Sequence, residues 1–212
     1  ARRGRGAREA ASEAAGGDLA EATEERGRVI RVTYEGTKLL EIPGGDVASM
    51  DAFMKENATT VCIQGVERIE DGPQDDPSVK YAFLEPNDVG PFKSQMRLLL
   101  QVEPKETQKV EIHILEMWSG NVDKKTGEVT YPPEGKIKFD TENTVTWEES
   151  AGGLKVINTS NAVSTNVLPW WFPVPDVIVQ KVSQFFISKI ISAGQTGVNT
   201  QIKEQYAAWR AK

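Results

Sequence analysis

Residues 175–209 read PDVIVQKVSQFFISKIISAGQTGVNTQIKEQYAAW, and the period of this stretch decides the fold. Apolar side chains return every three or four positions: Ile178, Val182, Phe185, Phe186, Ile190, Ala193. A neighbouring stripe of Val179, Ile187, Ile191 and Val198 widens that face. This spacing predicts one long amphipathic helix over residues 177–208. Asp176 is placed to cap it. Gly194 and Gly197 would bend the helix or admit a close backbone neighbour. Gln180, Lys181, Ser183, Gln184, Ser188 and Lys189 break the apolar run, which therefore falls short of the roughly 20 apolar residues that span a bilayer.

Upstream of the helix the period falls to two. In residues 92–102, Met96, Leu98, Leu100 and Val102 share one face, and Gln95, Arg97, Leu99 and Gln101 the other. In residues 109–118, Val110, Ile112 and Ile114 oppose Glu111 and His113. Leu115 and Met117 then fall on the His113 face, a slip that a β-bulge at Ile114 or Leu115 would absorb. Residues 79–84, 137–147 (interrupted around 140–143) and 154–163 supply further strands. Residues 59–70, rich in β-branched side chains, read as another, with a bulge at Gly65. Before them, residues 29–42 are strand material around Gly36, and Asp46 caps a short helix through Val47, Met50, Phe53 and Met54. Strands in series closed by a helix indicate an α+β domain: an antiparallel sheet of six to seven strands with the helix on one face.

Two segments do not fit a core. Residues 1–28 hold Leu19 as their one large aliphatic side chain ahead of the strand pattern, with Arg2, Arg3, Arg5 and Arg8 at the start and acids after them. Such a stretch cannot bury enough surface to offset its chain entropy, so an irregular polar arm (1–28) is expected ahead of a single domain (29–212). The second segment is residues 168–175, where Trp170, Trp171 and Phe172 stand between prolines. Three consecutive aromatics cannot all enter one core. They form a cover for the sheet end, a pocket gate or an anchor for a partner. The four arginines and these three aromatics are the partner-contact candidates. The net charge of −6 argues against nucleic acid as the partner. Ala1, in place of an initiator Met, is expected either of a chain whose targeting segment has been removed or of one observed only in part.

The chemistry-bearing residues are sparse. A single cysteine, Cys62, excludes an intrachain disulfide, and a single histidine, His113, excludes a His-rich metal site. No nucleophile elbow, phosphate loop or dinucleotide glycine pattern occurs. Gly44-Gly45 and Gly152-Gly153 are turn glycines, and Asp75-Asp76 and Glu148-Glu149 fall in turns. No catalytic residue and no metal ligand is assigned, so a non-enzyme is expected.

The order of elements resembles the helix-grip fold of START-like ligand-binding proteins, in which a bent sheet grips a C-terminal helix. More narrowly, the chain is similar to an uncharacterised START-like family of cyanobacteria and plastid-bearing organisms. The residues that carry this are 37–43 (TKLLEIP) before the short helix, 65–70 (GVERIE), Trp118 closing its strand, Leu168-Pro169 before the long helix and 205–209 (QYAAW) at its end. The resemblance spans about residues 33–210. The arm lies outside it, and the acidic loops at 71–77 and 121–133 are longer than in that family.

Two functions follow from the resemblance. The first is a non-catalytic accessory subunit of a plastid assembly, peripheral to the thylakoid and docked on a membrane-embedded photosystem-antenna complex through arm and aromatic loop, with no transmembrane segment of its own. The second is a binder or carrier of a hydrophobic small molecule, a lipid, carotenoid or tetrapyrrole. A pigment or lipid would then be the bound cofactor. The residues expected to line its pocket are Met96, Leu98, Leu100, Ile112, Phe139, Ile178, Val182 and Phe185.

Overall fold

The first strand sets the length of the molecule. β1 (Gly27–Pro43) runs antiparallel along the whole of β9 (Gly153–Pro169), from Gly27 opposite Pro169 to Pro43 opposite Gly153. Between them in sequence come α1 (Val47–Cys62), β2 (Arg68–Asp71), β3 (Val79–Phe83), β4 (Asn87–Val89), β5 (Phe92–Lys105), β6 (Lys109–Val122), β7 (Val129–Thr130) and β8 (Lys136–Ser150). α2 (Asp176–Arg210) closes the chain. This computed structural model describes residues 27–73, 76–89, 92–106, 108–133, 136–169 and 173–212.

The strands form one antiparallel sheet in the order β1-β9-β8-β6-β5-β3-β2, with the short β4 on β5 and β7 on β6. With α2 packed on one face, this is the α+β helix-grip arrangement. β1 starts at Gly27, so the last two residues read as arm belong to the sheet. No helix among the described residues is long and apolar enough to cross a membrane.

Period two dictates the inner face of each strand. Ile42, Leu98, Leu100, Val102, Val110, Val145, Trp147, Leu154 and Val156 point inward and form the main core. α1 covers them with Met50, Phe53, Met54, Ala58 and Val61, and the last third of α2 adds Val198, Ile202 and Tyr206. Each fully buried large side chain contributes roughly 1.5–3 kcal/mol. The closing QYAAW stretch explains itself here. Tyr206 packs edge-on against Phe53 at 5.4 Å and shares a hydrogen bond with Ser49 Oγ at 2.5 Å. Trp209 packs on Phe53 at 6.0 Å and donates to Glu56 Oε2.

The bulge expected in β6 is present. Leu99 faces Glu116 and Leu100 faces Ile114, so Leu115 is the extra residue, and it is 48% exposed. Three expectations are corrected. Residues 59–62 are helical, not strand, because Ala58, Val61 and Cys62 continue the buried face of α1, and burial outweighs the β-propensity of Thr59, Thr60 and Val61. Gly65 then turns the chain at φ 74° toward a strand of only four residues, β2. β8 is continuous through 140–143, since β9 pairs with it residue by residue there. Asp176 is the first helical residue, not the cap. Pro175 holds the cap position, and the Asp176 carboxylate pairs with Arg28 at 2.8 Å.

Candidate ligand-binding face

α2 packs chiefly along β1 and more lightly on α1 and β9. It is therefore not laid across the middle strands. α1 covers those strands at one end of the sheet only. At the other end the inward side chains of β5, β6 and β8 are partly open: Met96, Ile112, Ile114, Ile137 and Phe139 are half-buried against the edge of the core. The register makes them one patch. Leu98 faces Met117, Met117 faces Ile137, Met96 faces Ser119 and Ile112 faces Asn143.

A polar strip borders this patch on the same face. Phe139, Thr141 and Asn143 of β8 face Ser164, Ala162 and Ser160 of β9. Ser160 and Ser164 are buried. The Asn143 amide donates to Ile112 O at 3.3 Å. The Thr141 hydroxyl is buried with no hydrogen-bond partner among the described residues. An orphaned buried hydroxyl costs about 1–3 kcal/mol, so this position is a candidate to receive a polar group from outside the chain.

α2 is fixed beside the strip, on β1 and β9, by one glutamine. Gln195 is buried, and its Nε2 donates to Gly36 O at 3.1 Å and Asn158 O at 3.0 Å. The Tyr34 hydroxyl donates to Gln195 Oε1 at 3.3 Å. Gln195, Val198, Ile202 and Tyr206, all buried, define the face of α2 turned to the sheet. At about 100° per residue, that face continues backward through Gln184, Ser188 and Ile191. Ser183, Ile187 and Ile190 stand on the Gly194 side, where a β-carbon on Gly65 would lie 3.7 Å from the backbone of Gly194. These three are half-buried.

The same geometry places the sequence candidates. Leu98 and Leu100 lie in the solid core under α1. Met96, Ile112 and Phe139 lie on the open patch. Ile178, Val182 and Phe185 are exposed, at 51%, 46% and 63%, and lie off the buried face of α2. The helix phase is set by Gln195 and the last third, where burial is deepest, and the first turns follow. The patch also contains Ile114 and Ile137, which the sequence reading did not select. The alternation of Val110, Ile112 and Ile114 was the available signal for the first. Arg2, Arg3, Arg5, Arg8, Trp170, Trp171 and Phe172 lie outside the described residues.

Two other places carry polar chemistry. A cleft of about 330 Å³ lies between β1 and α2, lined by Lys38, Leu39, Leu40, Thr196, Asn199, Thr200 and Lys203. Lys38 Nζ donates to Ser192 O at 2.7 Å and to the Thr196 hydroxyl. On the convex face, Glu103, Glu111 and His113 come together, with His113 Nε2 3.5 Å from Glu111 and 4.0 Å from Glu103. Lys105 and Lys109 already pair with these carboxylates, and the two lysines hold the Glu111 carboxyl down at about 2. A cation there would have to displace two ammonium groups.

No family model matches the chain, and no curated protein sequence does. Solved structures of similar arrangement exist at low identity. One is a START superfamily protein from Mycobacterium smegmatis, 10% identical, with a TM-score of 0.39 over 79% of this chain and 97% of that one. Another is the di-domain ARO/CYC protein StfQ of the steffimycin biosynthetic pathway, 14% identical, with a TM-score of 0.44 over 97% of this chain and 63% of that one. A conserved protein from Geobacillus kaustophilus is 13% identical, with a TM-score of 0.40 over 79% of this chain and 95% of that one.

Proposed function

We propose that this chain is a non-catalytic binder of a hydrophobic small molecule, held on the concave face of the sheet between β5, β6, β8 and the first half of α2. One observation carries the reading: five half-buried apolar side chains, Met96, Ile112, Ile114, Ile137 and Phe139, border a polar strip that contains the orphaned Thr141 hydroxyl. An apolar wall with a few fixed polar groups is the general make-up of small-molecule sites. It suits a ligand with an apolar body and one hydrogen-bonding group, such as a lipid, carotenoid or tetrapyrrole.

The test is native mass spectrometry of the purified chain, followed by titration with a fluorescent fatty acid. A ligand retained in the gas phase, and titration weakened at least several-fold by Phe139→Ala with Ile114→Ala, would support it. An empty protein that does not bind the probe, or equal binding by a folded double variant, would overturn it.

A second reading is an accessory subunit of a plastid assembly at the thylakoid. The exposed apolar side chains Ile178, Val182 and Phe185 on one stripe of α2 favour a docking surface. Gently solubilised membranes separate the two readings: co-migration with a large pigmented complex supports the subunit, and a small free species supports the binder.

A further inference from the structure

β1 is the terminal strand of the sheet, and its peptide groups divide by parity. Gly44 N–H bonds Gly152 O, so the even-numbered residues back along β1 aim their N–H and C=O at β9. The odd-numbered ones, Arg31, Thr33, Glu35, Thr37, Leu39 and Glu41, aim theirs at the open side. No strand pairs there among the described residues. Pro43, which has no N–H to offer, shares the open parity, as prolines in edge strands do. All six side chains stand exposed on the convex face, Leu39 at 58%. A long, regular edge of this kind is a template for another strand.

We propose that this edge pairs antiparallel with β1 of a second copy, about a two-fold axis at Gly36, so that one sheet runs through both chains. The choice of partner and register comes from charge. Centred on Gly36, Arg31 faces Glu41 of the partner subunit, Thr33 faces Leu39 of the partner subunit and Glu35 faces Thr37 of the partner subunit. The Arg–Glu pair occurs twice, and no like charges oppose each other. Centred one residue earlier, Glu35 faces its own copy. Centred on Tyr34 or on Thr37, neither arginine meets an acid. Centred on Thr33, Arg31 meets Glu35 of the partner subunit, but Arg28 is set against Lys38 of the partner subunit on the other face. Opposite charges directly across an antiparallel pair stabilise it, and like charges destabilise it. On the concave side of the Gly36 register, Val32 and Tyr34 of the partner subunit stand opposite Leu40 and Lys38. Those two residues line the cleft between β1 and α2, so the second copy has space there for its side chains.

The full chain is tested by sedimentation velocity and by oxidative cross-linking. Cys62 is buried and is the only native thiol, so introduced cysteines report without competition. Thr33→Cys mixed with Leu39→Cys is expected to give an interchain disulfide, and neither alone does. Arg31→Glu is expected to raise the dimer dissociation constant about tenfold, and Arg31→Glu with Glu41→Arg to restore it. A folded wild-type chain that stays monomeric up to millimolar concentration overturns the proposal. So does self-linking of Thr33→Cys alone, or dimerisation unaffected by Arg31→Glu.

Discussion

A β-carbon placed on Gly197 would stand 2.9 Å from the β-carbon of Gln64. The backbone of α2 thus meets the loop leaving α1 with no room for a methyl group. Three residues earlier, a β-carbon on Gly194 would meet nothing within 4 Å. Two glycines one turn apart in the same helix therefore have opposite roles, and the contrast is measurable. Gly194→Ala is expected to stabilise the fold by about 0.5–1 kcal/mol through helix propensity alone. Gly197→Ala is expected to lose that gain to overpacking and to destabilise by about 1–3 kcal/mol. Urea unfolding of both variants checks this, and equal effects would refute it.

Gln195 bonds Gly36 O, Asn158 O and the Tyr34 hydroxyl from a buried position. Gln195→Leu removes the side-chain donor shared by the Gly36 and Asn158 carbonyls and the acceptor of the Tyr34 hydroxyl. The expected loss is about 2–4 kcal/mol. Tyr34→Phe removes one hydroxyl at the edge of the same cluster and should cost about 1 kcal/mol. Unfolding midpoints that rank the two variants the other way would show that α2 is held by something other than this cluster.

Acid should weaken the fold from the carboxylate side. Lys109 and Lys105 hold the Glu111 carboxyl at about 2, against an ordinary 4.5. The Ser49 hydroxyl and N–H lower Asp46, Lys80 lowers Asp71, and Lys136 lowers Glu116. A carboxyl depressed in the folded state contributes fully above its unfolded pKa, and the contribution drains as pH falls through the folded value. For Glu111 that window runs from 4.5 down to about 2. Stability measured against pH should be level above about pH 5 and fall below it. Glu111→Gln should flatten part of that slope. A Glu111→Gln profile identical to wild type would dismiss the Lys105–Glu111–Lys109 cluster as a contributor.

Burial pushes the Cys62 thiol up to about 12. At neutral pH it is a buried, protonated thiol at the C-terminal end of α1, and thiolate is the reactive form. A disulfide-exchange dye should label it only as fast as the protein opens. Rapid labelling of the native chain, without acceleration by mild urea, would contradict this placement.

The concave patch was half legible in the sequence. Met96 and Ile112 alternate with polar neighbours, and alternation alone assigns them to the inner face. Phe139 follows from the same rule once β8 is recognised. Ile178, Val182 and Phe185 show the limit. Their spacing marks an apolar stripe, but spacing does not say which stripe of a helix with two meets the sheet. Gln195 settles it, because a buried amide with three partners outranks an exposed apolar stripe in fixing rotation. Such a role for a glutamine has no signature in composition or period.

Local chemistry in the sequence determined what each segment would be: strands where the period is two, a long helix where it is near 3.6, the cap at Asp46 and a bulge at Ile114 or Leu115. These are interactions between residues a few positions apart, and a sequence displays them directly. The tertiary structure alone decided that residues 59–62 continue α1, that α2 lies along β1, and that Thr141 sits orphaned beside an open apolar patch. Each of these depends on which distant groups are buried together. Burial is a property of the assembled chain, and its free energy exceeds the local preferences it overrides.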